Sequence, residues 1–213
     1  MGGSFSVPVA TDGLSLVASP FGDAVAEFSG KNIVVANGVK ADYWKTGHSY
    51  MKRRVNESGA LVGFEKSGHF FFNKPFGRGY DDGLVSAIAI CEMLDRASGK
   101  SMADLKDALP KTWSSPTMSP HCADETKYGV ADAVVKHFEA LQKNGGKVAG
   151  QNIRDLVTVN GVRVTVEDGS WGLVRASSNK PELVVVVESP VSEQRMRDMF
   201  EAMDSVLRTH PEV

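Results

Sequence analysis

Two structural classes follow one another along this sequence: an α/β portion, then an α+β domain with a four-stranded antiparallel sheet and two flanking helices. Three observations predict this. Apolar residues recur at helical spacing in Ala131 to Gln142 and in Glu193 to Leu207. Between them lie four short runs rich in Val and Leu, separated by Asn160-Gly161, Asp168-Gly169 and Ala176 to Pro181. The 213 residues suffice for one large domain or two of about 100 residues each, either able to bury a core without staples.

Composition narrows the function classes. Hydrophobic residues make up 42% and charged residues 23%, ordinary globular values that exclude disorder for most of the chain. Lys plus Arg total 24 against 26 Asp plus Glu, for a net charge of -2. No global basic field exists to hold a nucleic-acid backbone, so an anionic ligand must be caught by a local site. The longest aliphatic block, Leu183 to Val187, is far shorter than a membrane span. Neither nucleic acid nor membrane is therefore expected as a partner. Cys91 and Cys122 form no disulfide framework and fit a reducing cytoplasm. No charged start followed by an apolar stretch marks a signal peptide, and Met1-Gly2 with Ser6 fits a myristoylation pattern only loosely.

The elements are expected in this order. Residues 1 to 32 are rich in Gly, Ser, Ala and Val without a sustained period, and read as a poorly defined segment with one short strand. Ile33 to Ala36 reads as a buried strand and Asn37-Gly38 as a turn. A helix is expected to start after Thr46 and run through Arg54, with Tyr50 and Met51 on its apolar side and Asn56 to Gly59 breaking it. Ala60 to Phe64 and His69 to Phe72 read as strands joined by Glu65-Lys66-Ser67-Gly68. Asp81 or Asp82 can cap the next helix, whose stripe is Leu84, Ile88, Cys91 and Leu94, with Ser98-Gly99 as its end. A short helix with Met102, Leu105 and Leu109 follows. Pro110, Pro116 and Pro120 then mark a linker over 110 to 124, because proline neither continues a helix nor donates to a ladder.

The second domain, 125 to 213, opens with the helix carrying Val134, Val135, Phe138 and Leu141 on one face. Leu156 to Val159 and Val162 to Val166 flank Asn160-Gly161, a hairpin signal. Val162, Val164 and Val166 alternate with Arg163 and Thr165, which predicts one buried face. Trp171 to Arg175 and Leu183 to Val187 complete the sheet. The last helix carries Met196, Met199, Phe200, Met203, Val206 and Leu207, and both helices are expected on one face of the sheet.

Three polar loops can carry chemistry. In Glu65-Lys66-Ser67-Gly68-His69 a carboxylate, a hydroxyl and an imidazole share one tight turn, a set able to grip vicinal sugar hydroxyls or merely to form a solvated hairpin tip. In Arg175-Ala176-Ser177-Ser178-Asn179-Lys180-Pro181 the arginine fork matches phosphate oxygens, and the serines, Asn179 and backbone N–H groups add neutral donors. An ordinary polar connection is the plain alternative. Lys45-Thr46-Gly47-His48-Ser49 sits at a helix start, where anions are favoured, and Lys52, Arg53 and Arg54 read as a solvated basic face. Gly77, Gly79 and Gly83 lack dinucleotide-loop spacing. His121, Cys122 and Asp124 lack a second metal-ligand pair, and Cys91 reads as inert core rather than nucleophile.

Taken in order, KTGHSYMKRR, GFEKSGHFFF, GYDDG and VRASSNKPELVV resemble the C-terminal half of the α-D-phosphohexomutases, specifically the phosphomannomutase/phosphoglucomutase group. The resemblance runs from about Ala36 to Val213. It implies a partial third domain over 33 to 109 and a fourth, C-terminal domain over 125 to 213. It assigns Glu65 and Ser67 to sugar hydroxyls with His69 close by, turns His48 toward the substrate, and gives the non-transferred phosphate to Arg175 and Ser177. Ser178, Asn179 and Lys180 stand where the family commonly has Asn and Thr after the serine; they keep donor capacity. The implied reaction moves phosphate between the 1- and 6-positions of mannose or glucose through a phosphoserine and a 1,6-bisphosphate, with Mg²⁺ held by an Asp-rich loop. Neither the Ser-His-Asn phosphoserine loop nor the Asp-Gly-Asp-Gly-Asp-Arg metal loop occurs in these residues. The expectation is thus a sugar-phosphate-binding C-terminal portion with no catalytic residue and no metal site of its own, inactive alone and a partner for the missing N-terminal half. The alternatives are a non-catalytic sugar-phosphate-binding subunit and a degenerate fragment.

Overall fold

The computed structural model describes residues 15–18, 40–65 and 68–213, with side chains from Tyr43 onward. The strand expected at Ile33 to Ala36, the Asn37-Gly38 turn and Ser67 lie outside the described residues. Contacts divide the described chain into two units, one ending at Pro110 and the other running from Lys111 to Val213.

The first unit is built on a four-stranded sheet. Its strands are β1 (Ser15–Ala18), β2 (Lys40–Tyr43), β3 (Val62–Phe64) and β4 (Phe70–Phe72), in the order β2-β1-β3-β4. β1 pairs in parallel with β2 and β3, and β4 returns antiparallel to β3. Strand β2 was not expected. It is four residues long at the sheet edge, too short for alternation to show, and only its pairing defines it.

Helix α1 (His48–Ser58) runs four residues beyond the expected Arg54. Asn56 does not break it, because its amide donates to the Lys52 carbonyl at 2.8 Å within the helix. Gly59 ends it instead, in the left-handed conformation at φ 65° that a residue with a β-carbon adopts only at a cost. Met51 and Val55 face inward and pack with Ala60 and Phe71. Tyr50, expected on the apolar side, is 50% exposed, since it lies one position off the Met51–Val55 stripe.

Helix α2 (Gly83–Asp95) starts at Asp82, whose Oδ1 accepts the Leu84 and Val85 N–H groups at 3.0 and 3.1 Å. Its apolar stripe is not core. Leu84 is 73% and Ile88 59% exposed, and Cys91 is exposed as well, which corrects its reading as a buried thiol. Periodicity says which residues share a face and nothing of what covers that face. Helix α3 (Met102–Asp107) follows with a Ser101/Asp104 capping box.

The second unit is a six-stranded antiparallel sheet rather than a four-stranded one. Strands β5 (Trp113–Ser114), β6 (Lys147–Val148), β7 (Gln151–Val157), β8 (Val162–Val166), β9 (Trp171–Ala176) and β10 (Leu183–Ser189) run β5-β10-β9-β8-β7-β6. The two additional strands are two-residue edges with no period to detect. The stretch read as a linker is laid along β10: Trp113 pairs with Ser189, Ser114 with Glu188, and bridges join Met118 to Val185 and His121 to Glu182. Proline is tolerated there because an edge strand can spare ladder donors.

Helices α4 (Lys127–Lys143) and α5 (Glu193–Leu207) cover the sheet, α4 over β7 to β9 and α5 over β5, β9 and β10. Val134, Phe138, Met199 and Met203 meet Val162, Val164, Val174, Val185 and Val187 in one core. Gly172 is what lets α5 approach: a β-carbon there would stand 2.6 Å from Met203 Cγ. The alternation in β8 hides no exposed face, because Arg163 and Thr165 are buried too. The Arg163 guanidinium lies 4.3 Å from the centre of the Trp171 ring and donates to Thr165 Oγ1 at 3.3 Å.

A polar clasp ties α5 to the strand turns. Arg195 Nε donates to Asp168 Oδ2 at 2.8 Å, and its Nη1 reaches the Ala149 carbonyl at 2.9 Å and Asp198 at 3.1 Å. Burial pushes the Asp168 carboxyl up, but the Ser170 N–H and the Arg195 guanidinium outweigh it and hold that carboxyl below its usual range.

Candidate functional site

The first cluster sits in the first unit, where three elements converge. The β3–β4 connection is narrow, with Glu65 N–H donating to the His69 carbonyl at 2.9 Å and Gly68 N–H to the Glu65 carbonyl at 3.0 Å. Glu65 is thereby held inward and is 7% exposed. Its Oε1 accepts the Gly47 N–H at 2.7 Å, one of the orphan donors at the start of α1. Gly47 has φ 122°, which lets the chain turn there and deliver His48 as the first residue of the helix.

His48 and His69 meet edge to face with ring centroids 4.5 Å apart, and His48 also packs edge-on against Phe71 at 5.3 Å. Asp81 joins them from the loop before α2. Its Oδ2 contacts His69 Nδ1 at 2.8 Å and stands 3.7 Å from His48 Nε2, while its Oδ1 accepts the Phe70 N–H at 3.3 Å. A pocket of about 450 Å³ opens among His48, Ser49, Lys52, Phe71, Tyr80 and Asp81. Sequence reasoning gave His48, Glu65 and His69 but missed Asp81, to which it offered only a capping role, and the Lys52 and Tyr80 walls. Capping logic accepts either aspartate; the fold spends Asp82 on the cap and turns Asp81 to the histidine. Lys52 was read as solvated face; it is exposed, yet it lines the pocket with its Nζ 5.7 Å from the Tyr80 ring centre.

Chemically, this cluster offers two imidazoles and two carboxylates, of which His48 and Asp81 line the pocket. Asp81 accepts from His69 Nδ1–H, which leaves Nε2 of the neutral ring as an acceptor. Such a set suits a polyhydroxylated ligand, each hydroxyl of which both donates and accepts.

The second cluster, in the second unit, is local. Arg175 lies near the end of β9, half-buried, with Nη1 donating to the Ala176 carbonyl at 3.1 Å. Ser177 is 8% exposed, and its Oγ accepts the Asn179 and Lys180 N–H groups at 3.4 and 3.3 Å, a turn closed by the Ser177 N–H on the Glu182 carbonyl at 3.0 Å. Ser178, Asn179 and Lys180 are exposed on the tip. From below, buried Lys127 donates to the Lys180 carbonyl at 2.9 Å and pairs with Asp124 at 2.5 Å. The Asn160-Gly161 turn abuts the end of β9, since a β-carbon on Gly161 would stand 2.7 Å from Arg175 Cα and 2.2 Å from the Val174 carbonyl. The β7–β8 ladder ends at Val157 and Arg163, a longer connection than the two-residue turn expected. A guanidinium with serine hydroxyls and an asparagine amide on one loop matches a phosphate monoester.

Glu188 has the largest shift among the described residues. Burial pushes its carboxyl up to about 8, against the Thr112 hydroxyl and the Arg163 guanidinium, which pull the other way. It stands at the far end of β10 from the Arg175 loop and belongs to neither cluster. The His121, Cys122 and Asp124 stretch gathers no ligand set: Cys122 is buried with its Sγ 3.6 Å from Thr126 Oγ1, and Asp124 is taken by Lys127.

Residues 22–113 match the model of phosphoglucomutase/phosphomannomutase alpha/beta/alpha domain III, and residues 122–206 match that of the C-terminal domain of the same proteins. A phosphomannomutase/phosphoglucomutase of Pseudomonas putida is 34% identical over 183 residues, 85% of this chain and 36% of the relative. A phosphoglucomutase of Neisseria gonorrhoeae is 31% identical over 78% of the chain and 34% of the relative. This chain thus spans about a third of the length of the curated relatives it matches. A phosphoglucomutase/phosphomannomutase family protein of Burkholderia thailandensis superposes with a TM-score of 0.73 at 25% identity, over 92% of this chain and 38% of that one. The fold is also that of an Aspergillus fumigatus N-acetylphosphoglucosamine mutase in complex with GlcNAc-6P and magnesium, at a TM-score of 0.61 and 12% identity over 92% of this chain and 39% of that one.

Magnesium is bound in that Aspergillus fumigatus mutase. The described residues do not fit that ion, which takes octahedral oxygen ligands. Their one gathered ligand set contains two imidazoles, and Asp81 and Asp82 are committed to His69 and to the α2 cap. No helix among the described residues is long and apolar enough to cross a membrane. With both domain models matched in order and the two loops standing in the corresponding units, the chain belongs to the phosphoglucomutase/phosphomannomutase family of α-D-phosphohexomutases, of which it comprises domains III and IV.

Proposed function

We propose that this chain supplies the hexose-reading and phosphate-holding surfaces of a cytoplasmic phosphomannomutase/phosphoglucomutase, which shifts phosphate between the 1- and 6-positions of mannose or glucose. The observation that carries this reading is the approach of His48, at the start of α1, to Glu65 and His69 of the β3–β4 connection, with His48 and Asp81 lining one pocket. Glu65 accepts from sugar hydroxyls, and His48 and His69 exchange hydrogen bonds with them, His69 held by Asp81. Ser67 completes that loop. In the second unit Arg175 takes two phosphate oxygens with its planar fork, and Ser177, Ser178 and Asn179 donate to the third. Magnesium and the phosphoryl-donating serine come from the other part of the full enzyme, and no transfer step runs through these residues alone. Charge on the transferring oxygens must be neutralised for that step, and these residues hold the substrate instead.

Calorimetry with glucose 6-phosphate on the purified chain tests the assignment. Arg175→Ala should weaken binding at least ~10-fold, the loss expected for a bidentate charge-assisted contact worth about 1.5–3 kcal/mol. Unchanged binding in that variant removes the phosphate loop from the reading. The chain alone should convert no mannose 1-phosphate, and turnover clearly above blank would show that it needs no partner.

A further inference from the structure

We infer that His48, Glu65 and His69 form a binding site for a divalent ion of the zinc class. One ligand atom from each lies within 4.8 Å of those of the other two. Two imidazoles and one carboxylate are a zinc donor set with the fourth position open to water, and they are unsuited to magnesium or calcium. Zinc bonds of about 2.1 Å place tetrahedral ligands roughly 3.3–3.5 Å apart, so the set must draw in by about 1.5 Å. The two imidazoles can make that movement, because His48 and His69 keep 56% and 40% of their side chains exposed. Glu65 is the fixed point, anchored by the Gly47 N–H.

Asp81 gives the second support. A carboxylate on the far nitrogen of a ligating histidine orients the ring and raises its basicity, and His69 Nδ1 already has that partner at 2.8 Å. Charge also favours a cation. The start of α1 brings about half a positive elementary charge, whereas Glu65 and Asp81 bring two negative ones when ionised. Backbone hydrogen bonds hold Glu65 in place before any ion arrives, and the two imidazoles close on it.

The test uses the untagged, chelator-stripped full chain and zinc chloride titrated by calorimetry. One equivalent should bind, and the His48→Ala/His69→Ala double variant should weaken it at least ~10-fold, as should Glu65→Gln. Cobalt chloride should give the visible bands of a four-coordinate nitrogen and oxygen site, lost in the same variants, with no thiolate charge-transfer band. His121→Ala and Cys91→Ser should leave the titration unchanged, and magnesium chloride should not displace the zinc. Circular dichroism of the double variant confirms that the loss is local. Binding that survives the double variant, or that follows Cys91, overturns the site, as does an absence of saturable binding.

Discussion

The two clusters differ in how they are held. The Arg175 loop is a continuation of β9, braced from below by Lys127 and from the side by Gly161, over a sheet whose core includes Phe138, Met199 and Met203. The His48–Glu65–His69 cluster gathers side chains from a helix start, a hairpin and a loop, over a small cluster of Met51, Val55, Ala60 and Phe71. One is rigid because its backbone is built into a ladder. The other is set by a few polar contacts at half-exposed side chains. The phosphate loop should therefore respond to changes in packing, and the imidazole cluster to changes in polar partners.

Packing gives the largest expected effect. Phe138→Ala should lower the stability of the second unit by about 3–5 kcal/mol, read as a fall in its unfolding midpoint in urea. A loss under about 1 kcal/mol would mean that the sheet does not depend on α4 as the contact pattern indicates.

Glu188 gives the next. Its folded carboxyl stands above its unfolded value of 4.5, so the stability it contributes is full below pH 4.5 and is lost as pH rises through about 8. The slope over that window is roughly 1.4 kcal/mol per pH unit at most. Glu188→Gln should flatten the stability of the second unit between pH 5 and 8. Parallel pH curves for the two proteins would show that the carboxyl finds more solvent or more partners than its buried position implies.

Lys127→Met sharpens the contrast. It removes the donor to the Lys180 carbonyl and should cost about 1–3 kcal/mol, with faster amide exchange at 177 to 180. At the small end, Asp81→Asn should change stability by less than about 1 kcal/mol, since the Asp81 side chain is 26% exposed. It should nevertheless shift the ring-nitrogen NMR signals of His69. If Asp81→Asn destabilises the chain more than Lys127→Met, the contrast between the two clusters is reversed.

What could be read from the residues follows the same division. Strands β8 to β10 and helix α5 announce themselves because alternation and helical spacing are properties of consecutive residues. The Arg175 to Pro181 loop was legible for the same reason. Asp81 was not, because its partner His69 is twelve residues away and its neighbour Asp82 satisfies the same local rule. Strands β2, β5 and β6 are edges of two to four residues defined by pairing alone. The α2 stripe of Leu84, Ile88 and Cys91 had the spacing of a core helix, and no local feature records that the face stays open.

The proline-rich stretch along β10 has a consequence for dissecting the chain. Trp113, Ser114 and Met118 occupy backbone groups of Ser189, Glu188 and Val185 that would otherwise face solvent as a bare ladder. Excising the C-terminal domain from residue 125, where its first helix is about to begin, strips that cover. It leaves a seven-residue, valine-rich strand with open N–H and C=O groups, a template on which a second molecule can add. A cut before Lys111 keeps the strip in place. The same domain should then stay monomeric from one starting point and self-associate from the other, with no change to the loop that carries Arg175.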